Sequence, residues 1–201
     1  MNLFDALPET VMVDGREYHL RPSFDRVLEA MSIFRGRGTD QQKTNAACWL
    51  LIKEKKLDDP VRVLEAALTA LVGTADKDTA AAKLFDFEQD AAYIYAAFLQ
   101  SYGIDLFERQ DRRGQKLLHW CAFLALFQAL PEQTRMSERI SIRATPVPRV
   151  TKDNREMVGD LLRRKHAVSL TLTDEERKEN MQRGLRKMAA TLAARAEEGE
   201  Q

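Results

Sequence analysis

The sequence predicts a mainly α fold: a bundle of five to seven helices with a small N-terminal β-hairpin and a C-terminal amphipathic helix. Apolar residues recur three and four positions apart along most of the chain, which is the spacing of one helix face. Capping residues, glycines and prolines divide this pattern into segments of helix length. An Asp-Gly pair between two short apolar runs predicts the hairpin.

The hairpin strands are predicted at residues 11–13 and 18–20. Asp14-Gly15 lies between them and supplies the positive φ angles that a tight primed turn requires. From this point on, the apolar spacing is helical.

Two helices follow the hairpin. Ser23 is the predicted cap of the first, which ends at Gly36, and Thr39 or Asp40 begins the second. The apolar positions of the two helices are Phe24, Val27, Leu28, Met31 and Phe34, then Ala46, Ala47, Trp49, Leu50 and Ile52.

The third helix is predicted to open at Asp59-Pro60, because a cap followed by a first-turn proline is a common helix start. Its apolar pattern ends before Gly73, and the helix is expected to stop at this glycine. Residues 74–83 are small and polar and predict a loop.

Two strongly apolar helices come next. Asp86 is the predicted cap of the fourth, with Gln89 at the capping-box position, and Gly103 ends it. After a charged connector, the fifth spans about residues 116–130, stops at Pro131 and is apolar nearly all round, so we expect it in the centre of the core. The predicted buried stripe of the fourth helix is Ala91, Ile94, Tyr95, Phe98, Leu99 and Tyr102.

Beyond Pro131 the pattern becomes more polar. Residues 136–143 predict a short helix, the prolines of residues 144–148 an extended break, and residues 153–166 a basic helix. Thr173 begins the final predicted helix. We divide the chain into a helical core domain with the hairpin, residues 1–150, and an extension of two helices, residues 151–201.

Charge is balanced overall but not along the chain. The formal net charge is zero, which gives the whole molecule no electrostatic reason to bind nucleic acid or a membrane. Residues 1–106 carry 12 basic and 17 acidic side chains, whereas residues 107–170 carry 13 basic and 7 acidic. No secretion signal is expected, and the most apolar run, residues 117–130, is too short to span a bilayer.

Histidines and cysteines are few and scattered. Cys48 and Cys121 lie in apolar helical runs, as expected of reduced, buried thiols in a cytoplasmic protein. His19, His119 and His166 lie in different elements, and none has a partner at metal-ligand spacing. We therefore interpret His119 as a hydrogen-bonded core histidine and expect neither a metal nor a cofactor.

The remaining charged motifs favour structural roles. The Arg-Gly-Arg-Gly run at residues 35–38 lacks the strand–loop–helix context of a phosphate-binding loop. Asp86, Glu88 and Asp90 are interpreted as acidic residues at a helix start, where they complement the macrodipole. The basic residues 149–165 lack interleaved aromatics, so we expect a solvated face there. From these motifs we expect that the protein is not an enzyme.

The C-terminal helix carries the candidate binding residues. Met181, Leu185, Met188 and Leu192 recur at spacings of four, three and four and give a narrow apolar seam on a charged helix. An isolated helix of this length is marginal in water, so the seam is expected to dock on its own domain, on another copy of the chain or on a partner helix.

Several motifs resemble the "gene product fifteen" proteins of long-tailed phages and prophages. The resemblance covers about residues 1–150. The motifs are Phe85-Asp-Phe-Glu-Gln-Asp-Ala-Ala-Tyr-Ile-Tyr-Ala-Ala-Phe-Leu-Gln-Ser-Tyr-Gly-Ile-Asp-Leu106, Leu118-His-Trp-Cys-Ala-Phe-Leu-Ala-Leu-Phe-Gln-Ala-Leu-Pro131, Ile140-Ser-Ile-Arg143, Leu7-Pro8 and Val13-Asp-Gly-Arg-Glu-Tyr18. The connector at residues 108–116 departs from the family, being longer and more charged than expected, and no motif aligns after Thr151.

The resemblance implies a tail assembly chaperone. Such a protein binds the tape-measure protein, whose gene follows its own, helps to recruit tail tube subunits in the host cytoplasm and is absent from the finished particle. The motif residues that we expect in the core are Phe87, Tyr93, Tyr95, Phe98, Tyr102, His119, Trp120, Phe123 and Phe127.

Two other functions stay open from the sequence. One is a structural protein of the tail or its connector, which is retained in the virion. The other is a phage nucleic-acid-binding regulator, for which strong salt-dependent DNA binding would be expected.

Overall fold

The computed structural model describes residues 6–73, 83–108 and 118–172, together with Met181. Within these residues one hairpin precedes seven helices, which confirms the mainly α prediction. The chain divides into two compact units between Ala144 and Thr145. The elements are β1 (Thr10–Val13), β2 (Arg16–His19), α1 (Phe24–Arg35), α2 (Asp40–Leu51), α3 (Pro60–Val72), α4 (Ala91–Tyr102), α5 (Trp120–Gln128), α6 (Arg135–Ala144) and α7 (Arg155–Ala167).

The hairpin is closed by the predicted two-residue turn. Asp14 and Gly15 adopt φ angles of 51° and 79°, and the strands pair with Val13 opposite Arg16. Positive φ at both turn positions matches the right-handed twist of the flanking strands. Tyr18 of β2 points into the core and is buried.

Capping explains where α2 and α3 begin. The Thr39 hydroxyl accepts the Gln42 N–H, and the Gln42 side chain accepts the Thr39 N–H, which completes a capping box. The Asp59 carboxylate accepts the N–H groups of Val61 and Arg62 at 3.1 and 3.2 Å. Both starts agree with the sequence pattern.

Ser23 is the N-cap residue of α1, as predicted, but its side chain makes no capping hydrogen bond. The backbone of Ser23 instead bridges to that of His119. Phe24 N–H donates to the Leu118 carbonyl at 3.0 Å, and Trp120 N–H donates to the Pro22 carbonyl at 2.7 Å. This extended pairing holds Leu118 and His119 out of a helix, so α5 begins at Trp120.

The fourth helix also begins later than predicted. Asp86 does act as a cap, since its carboxylate accepts the N–H groups of Glu88 and Gln89, but these belong to a turn that precedes α4. The helix starts at Ala91 and ends at Gly103, whose φ of 64° is left-handed. In the predicted buried stripe, Ala91 and Leu99 are exposed.

Phe123 of α5 lies at the centre of an aromatic core. The centroid of its ring is 4.9 Å from that of Phe24 of α1 and 5.0 Å from that of Phe98 of α4, and both pairs of rings are stacked. Trp120 and Phe127, on the same helix, stack against it at 5.6 and 6.3 Å. Stacked and edge-on aromatic pairs add to the free energy gained by burying the rings, so α5 ties α1 and α4 together.

The second unit is described as far as residue 172, apart from Met181. Residues 145–151 belong to neither a helix nor a strand, and the Asn154 side chain accepts the Thr151 N–H and donates to the Arg149 carbonyl. α7 is the basic helix predicted at residues 153–166, and its Val158 is buried. None of the helices in the described ranges is long and apolar enough to cross a membrane.

Candidate functional site

The predicted C-terminal seam lies almost entirely outside the described residues. Met181 has helical backbone and its side chain is 63% exposed. Leu185, Met188 and Leu192 are not among the residues that the structure describes. The seam therefore stays a prediction from sequence spacing.

The clearest candidate for a binding surface is on α4. Six residues of this helix are exposed, and all of them except Ala91 lie within an arc of about 120° around its axis; we name these five the α4 outer face. They are Ala92, Tyr93, Ala96, Leu99 and Gln100. The opposite side of the helix packs on the core through Ile94, Ala97 and Phe98, which are buried.

The α4 outer face has no charged side chain. Indeed, α4 contains neither an acidic nor a basic residue along its twelve positions, although most surface helices of soluble proteins carry charge on the solvent side. Depletion of charge together with enrichment in tyrosine is typical of the centre of a protein–protein interface. The composition of the face therefore favours contact with a protein.

An aromatic pair borders the α4 outer face on the Leu99 side. The rings of Tyr95 and Phe107 lie 4.8 Å apart, and Phe107 is 78% exposed. The Asp105 carboxylate accepts the Phe107 N–H at 2.9 Å, which fixes the turn that carries this ring. A large apolar side chain is thus held in solvent by a defined local structure.

Tyr93 forms the border of the α4 outer face on the side opposite Leu99. The Arg139 guanidinium of α6 lies over its ring, 4.2 Å from the centroid. A cation over the face of a tyrosine is attracted by the quadrupole of the ring. Tyr93 was expected in the core, but it is exposed, and its ring lies at the surface beneath Arg139.

Arg139 is itself held by Asp90, a carboxylate with no exposed surface. Asp90 accepts two hydrogen bonds from Arg143, at 2.6 and 2.9 Å, and one from Arg139 Nε at 3.1 Å. A fourth comes from the Asp86 N–H at 3.1 Å. Burial alone would raise the pKa of Asp90, but these bonds and charges, Arg143 foremost, outweigh it and lower that pKa.

Asp86 forms the second buried carboxylate of this cluster. Lys83 lies 2.7 Å from it and Arg35 3.2 Å. Burial would raise the pKa of Asp86, but the bonds from Lys83 and from the N–H groups of Gln89 and Glu88 prevail and lower it to about 2. Together the two aspartates fix the turn before α4 and join it to α1 and α6.

Sequence reasoning missed this cluster, since it interpreted Asp86 and Asp90 as helix-start residues that favour the macrodipole. One signal was available. The two aspartates are four residues apart, and so are Arg139 and Arg143 in the next polar helix, so each pair lies on one side of its segment. Asp90 and Arg143 also belong to two of the motifs that carry the family resemblance.

His119, Cys48 and Cys121 each form hydrogen bonds with the backbone. His119 is the N-cap of α5: its Nδ1 accepts the Cys121 N–H at 3.1 Å, so Nε2 carries the proton and donates to the Pro8 carbonyl at 3.2 Å. It is half-buried at a helix start and not inside the helix as we expected. Cys48 and Cys121 are free thiols whose pKa is raised by burial.

A metal centre has no support in the described part of the chain, where no three His, Cys, Asp or Glu residues are grouped to hold an ion. The other histidines have local contacts. His19 Nδ1 lies 2.8 Å from Glu54, and the carbonyl of His166 accepts the Ser169 hydroxyl.

The other family-motif residues line the aromatic core or its edge. Phe98, Trp120, Phe123 and Phe127 are buried, whereas Phe87, Tyr95 and Tyr102 are half-buried. The Tyr102 hydroxyl donates to the Leu126 carbonyl at 2.8 Å. These residues position α4 and leave its outer face in solvent.

Comparison with known proteins gives one informative result. A family model described as "Bacteriophage Gp15 protein" matches residues 3–170. The match continues past residue 150, where the resemblance was expected to end, and includes α7. Comparisons with curated proteins and with solved structures find no match.

Proposed function

The chain belongs to the bacteriophage Gp15 protein family, and we propose that it is a tail assembly chaperone that binds the tape-measure protein and assists assembly of the tail tube. In this role it works in the cytoplasm of the bacterial host, is left out of the finished particle and catalyses no reaction. Membership of the family supports a phage protein; the chaperone role is our inference.

The observation that carries the proposal is the α4 outer face. A tape-measure protein is a long helical chain whose apolar stripes need cover before the tail tube surrounds them. An uncharged surface with tyrosines and a leucine binds such a stripe, since burial of apolar area is the main favourable term in association.

The surface is also rigid on its inner side. Phe98 stacks on Phe123, and the turn before α4 is fixed by Asp86 and Asp90. A preorganised surface loses little conformational entropy when a partner docks, which raises the affinity that a given area supports.

Co-expression with the neighbouring tape-measure protein tests the proposal. The tape-measure protein is expected to be insoluble alone and soluble in a complex with this chain. In the Leu99→Asp variant the complex should be lost, because a carboxylate in an apolar contact is left without a partner. The matched control is Val61→Asp on α3: Val61 is 53% exposed and Leu99 45%.

A second variant addresses the predicted seam. If the C-terminal helix contributes to binding, Leu185→Asp with Met188→Asp will weaken the same complex.

Purified particles are then analysed by mass spectrometry. Absence of any complex, together with stoichiometric amounts of the chain in particles, would reject the chaperone and favour a structural tail or connector protein.

A further inference from the structure

The α4 outer face has a shape that selects large side chains. Ala92 and Ala96, one helical turn apart, form a low strip along its middle. Tyr93 rises on one side of this strip, and Leu99 with the Tyr95–Phe107 pair rises on the other. Small residues let another helix approach closely, and the strip then accommodates leucine-sized side chains from that helix.

The ends of the face carry acidic groups. Residues 84–108 contain five acidic side chains and no lysine, arginine or histidine. Asp86 is paired with Lys83 and Arg35, and Asp90 with buried Arg143. The other acidic residues are exposed Glu88 before α4, and half-buried Asp105 and exposed Glu108 after it. Among the described residues, the cation that contacts the face is Arg139, which lies over Tyr93 and shares the Asp90 carboxylate with Arg143.

We propose that the α4 outer face binds an amphipathic helix of another protein, with large apolar residues in its stripe and lysine or arginine at its borders. The twelve residues of α4 span about 18 Å, so the docked helix needs three to four turns. That the helix belongs to the tape-measure protein rests on the proposed function. The chemistry of the stripe and its borders rests on the face alone.

Charge at the borders sets the orientation and the selectivity of such a contact. Opposite charges at the rim speed encounter and disfavour wrong partners, and they are screened by salt. The connector after Glu108 is basic in sequence and lies outside the described residues, so the sign of the border charge is tested directly.

The test uses the full chain and two synthetic helical peptides of fourteen or more residues. Both carry the same leucine stripe, one with lysine and the other with glutamate at the borders. Fluorescence anisotropy at 50 mM NaCl should show the lysine peptide binding at least tenfold more tightly. This preference should shrink several-fold at 500 mM NaCl. Equal affinities, or tighter binding of the glutamate peptide, would overturn the proposal.

Variants locate the contact on α4. Leu99→Asp should weaken binding of the lysine peptide at least tenfold, and Val61→Asp should leave it unchanged. In the double variant Glu88→Lys with Glu108→Lys, the preference should move toward the glutamate peptide. An unfolded variant would lose affinity for both peptides, so it could not produce this change of preference. If the two aspartate variants weaken binding equally, the contact lies elsewhere and the proposal fails.

The outcomes also separate this proposal from the proposed function. A lysine peptide that binds α4 while no tape-measure complex forms leaves the docking chemistry standing and rejects the chaperone. A tape-measure complex that tolerates Leu99→Asp, together with no binding of the lysine peptide, leaves the chaperone standing and rejects the docking of a helix on α4. If light scattering shows a dimer that Leu99→Asp converts to a monomer, the occupant is a second copy of the chain, and the commitment to another protein is wrong.

Discussion

Two ion pairs of equal length have very different surroundings. Arg143 lies 2.6 Å from Asp90 between α6 and the start of α4, and Arg62 lies 2.6 Å from Asp14 between α3 and the hairpin turn. The side chains of the first pair are 6% and 0% exposed, and those of the second 58% and 60%. Contact distance alone therefore does not set the free energy of an ion pair.

The difference comes from solvent. At the hairpin, water and salt screen both charges before and after the contact breaks, so little free energy changes. Asp90 is fully buried, so the loss of Arg143 leaves its carboxylate with only the hydrogen bonds from Arg139 and from the Asp86 N–H. The buried pair is therefore compatible with the fold only while its hydrogen bonds are present, and removing one partner lowers the free energy of unfolding by a large amount.

The largest expected effect is that of Arg143→Ala. It removes two hydrogen bonds to Asp90 and one to the Leu84 carbonyl. We expect the free energy of unfolding to fall by about 3–5 kcal/mol, measured by urea unfolding followed by circular dichroism. As a control, Arg143→Lys should cost less than Arg143→Ala, because it keeps a positive charge beside Asp90. A loss below about 1 kcal/mol for Arg143→Ala would place this pair with the exposed ones.

Acid should weaken the same cluster. The pKa of Asp86 is lowered from 3.8 to about 2 in the folded protein. A lowered pKa contributes stability that is complete above the unfolded value and is lost as pH falls toward the folded one. Unfolding measured from pH 5 to pH 2 should therefore show a loss of about 2 kcal/mol from Asp86. The lowered pKa of Asp90 adds to this loss in the same direction. Asp86→Asn should flatten the pH dependence, and an unchanged slope would contradict the assignment.

The comparison also shows what sequence can predict. The hairpin turn, the capping box of α2 and the Asp59 cap of α3 depend on residues within a few positions of each other, and each agrees with its local pattern. The features that sequence reasoning missed depend on distant residues. Asp90 pairs with residues 49 and 53 positions away, and Ser23 pairs with a strand-like segment nearly a hundred residues later.

Exposure was the hardest property to predict for the candidate site. Helical spacing placed Leu99 on the buried stripe of α4, but α5 and α6 cover only the side that contains Ile94 and Phe98. A helix apolar on both sides gives no periodic signal for its outer face. The absence of charge over α4 was visible in the sequence, and it is the feature that a search for binding surfaces could have used.

Arg139→Ala should have an intermediate effect. The side chain of Arg139 is 18% exposed, and its loss removes one hydrogen bond to Asp90 and the contact over Tyr93, while Arg143 still pairs with the carboxylate. We expect a loss of about 1–2 kcal/mol in urea unfolding. Arg139→Lys keeps the charge but loses the planar stack, so it should recover part of that loss. A cost as large as that of Arg143→Ala would mean that Arg139 is the main partner of Asp90.

The smallest effect is expected for Arg62→Ala at the hairpin. It removes the exposed pair with Asp14, worth at most about 1 kcal/mol, and it also takes a positive charge out of the first turn of α3. Because that turn is the positive end of the helix dipole, this second change is favourable and offsets part of the first. Any remaining cost should disappear at 0.5 M NaCl, where exposed charges are screened, whereas the cost of Arg143→Ala should persist. A cost of Arg62→Ala that is large and independent of salt would show that the hairpin pair is sheltered from solvent and that the two regions are alike.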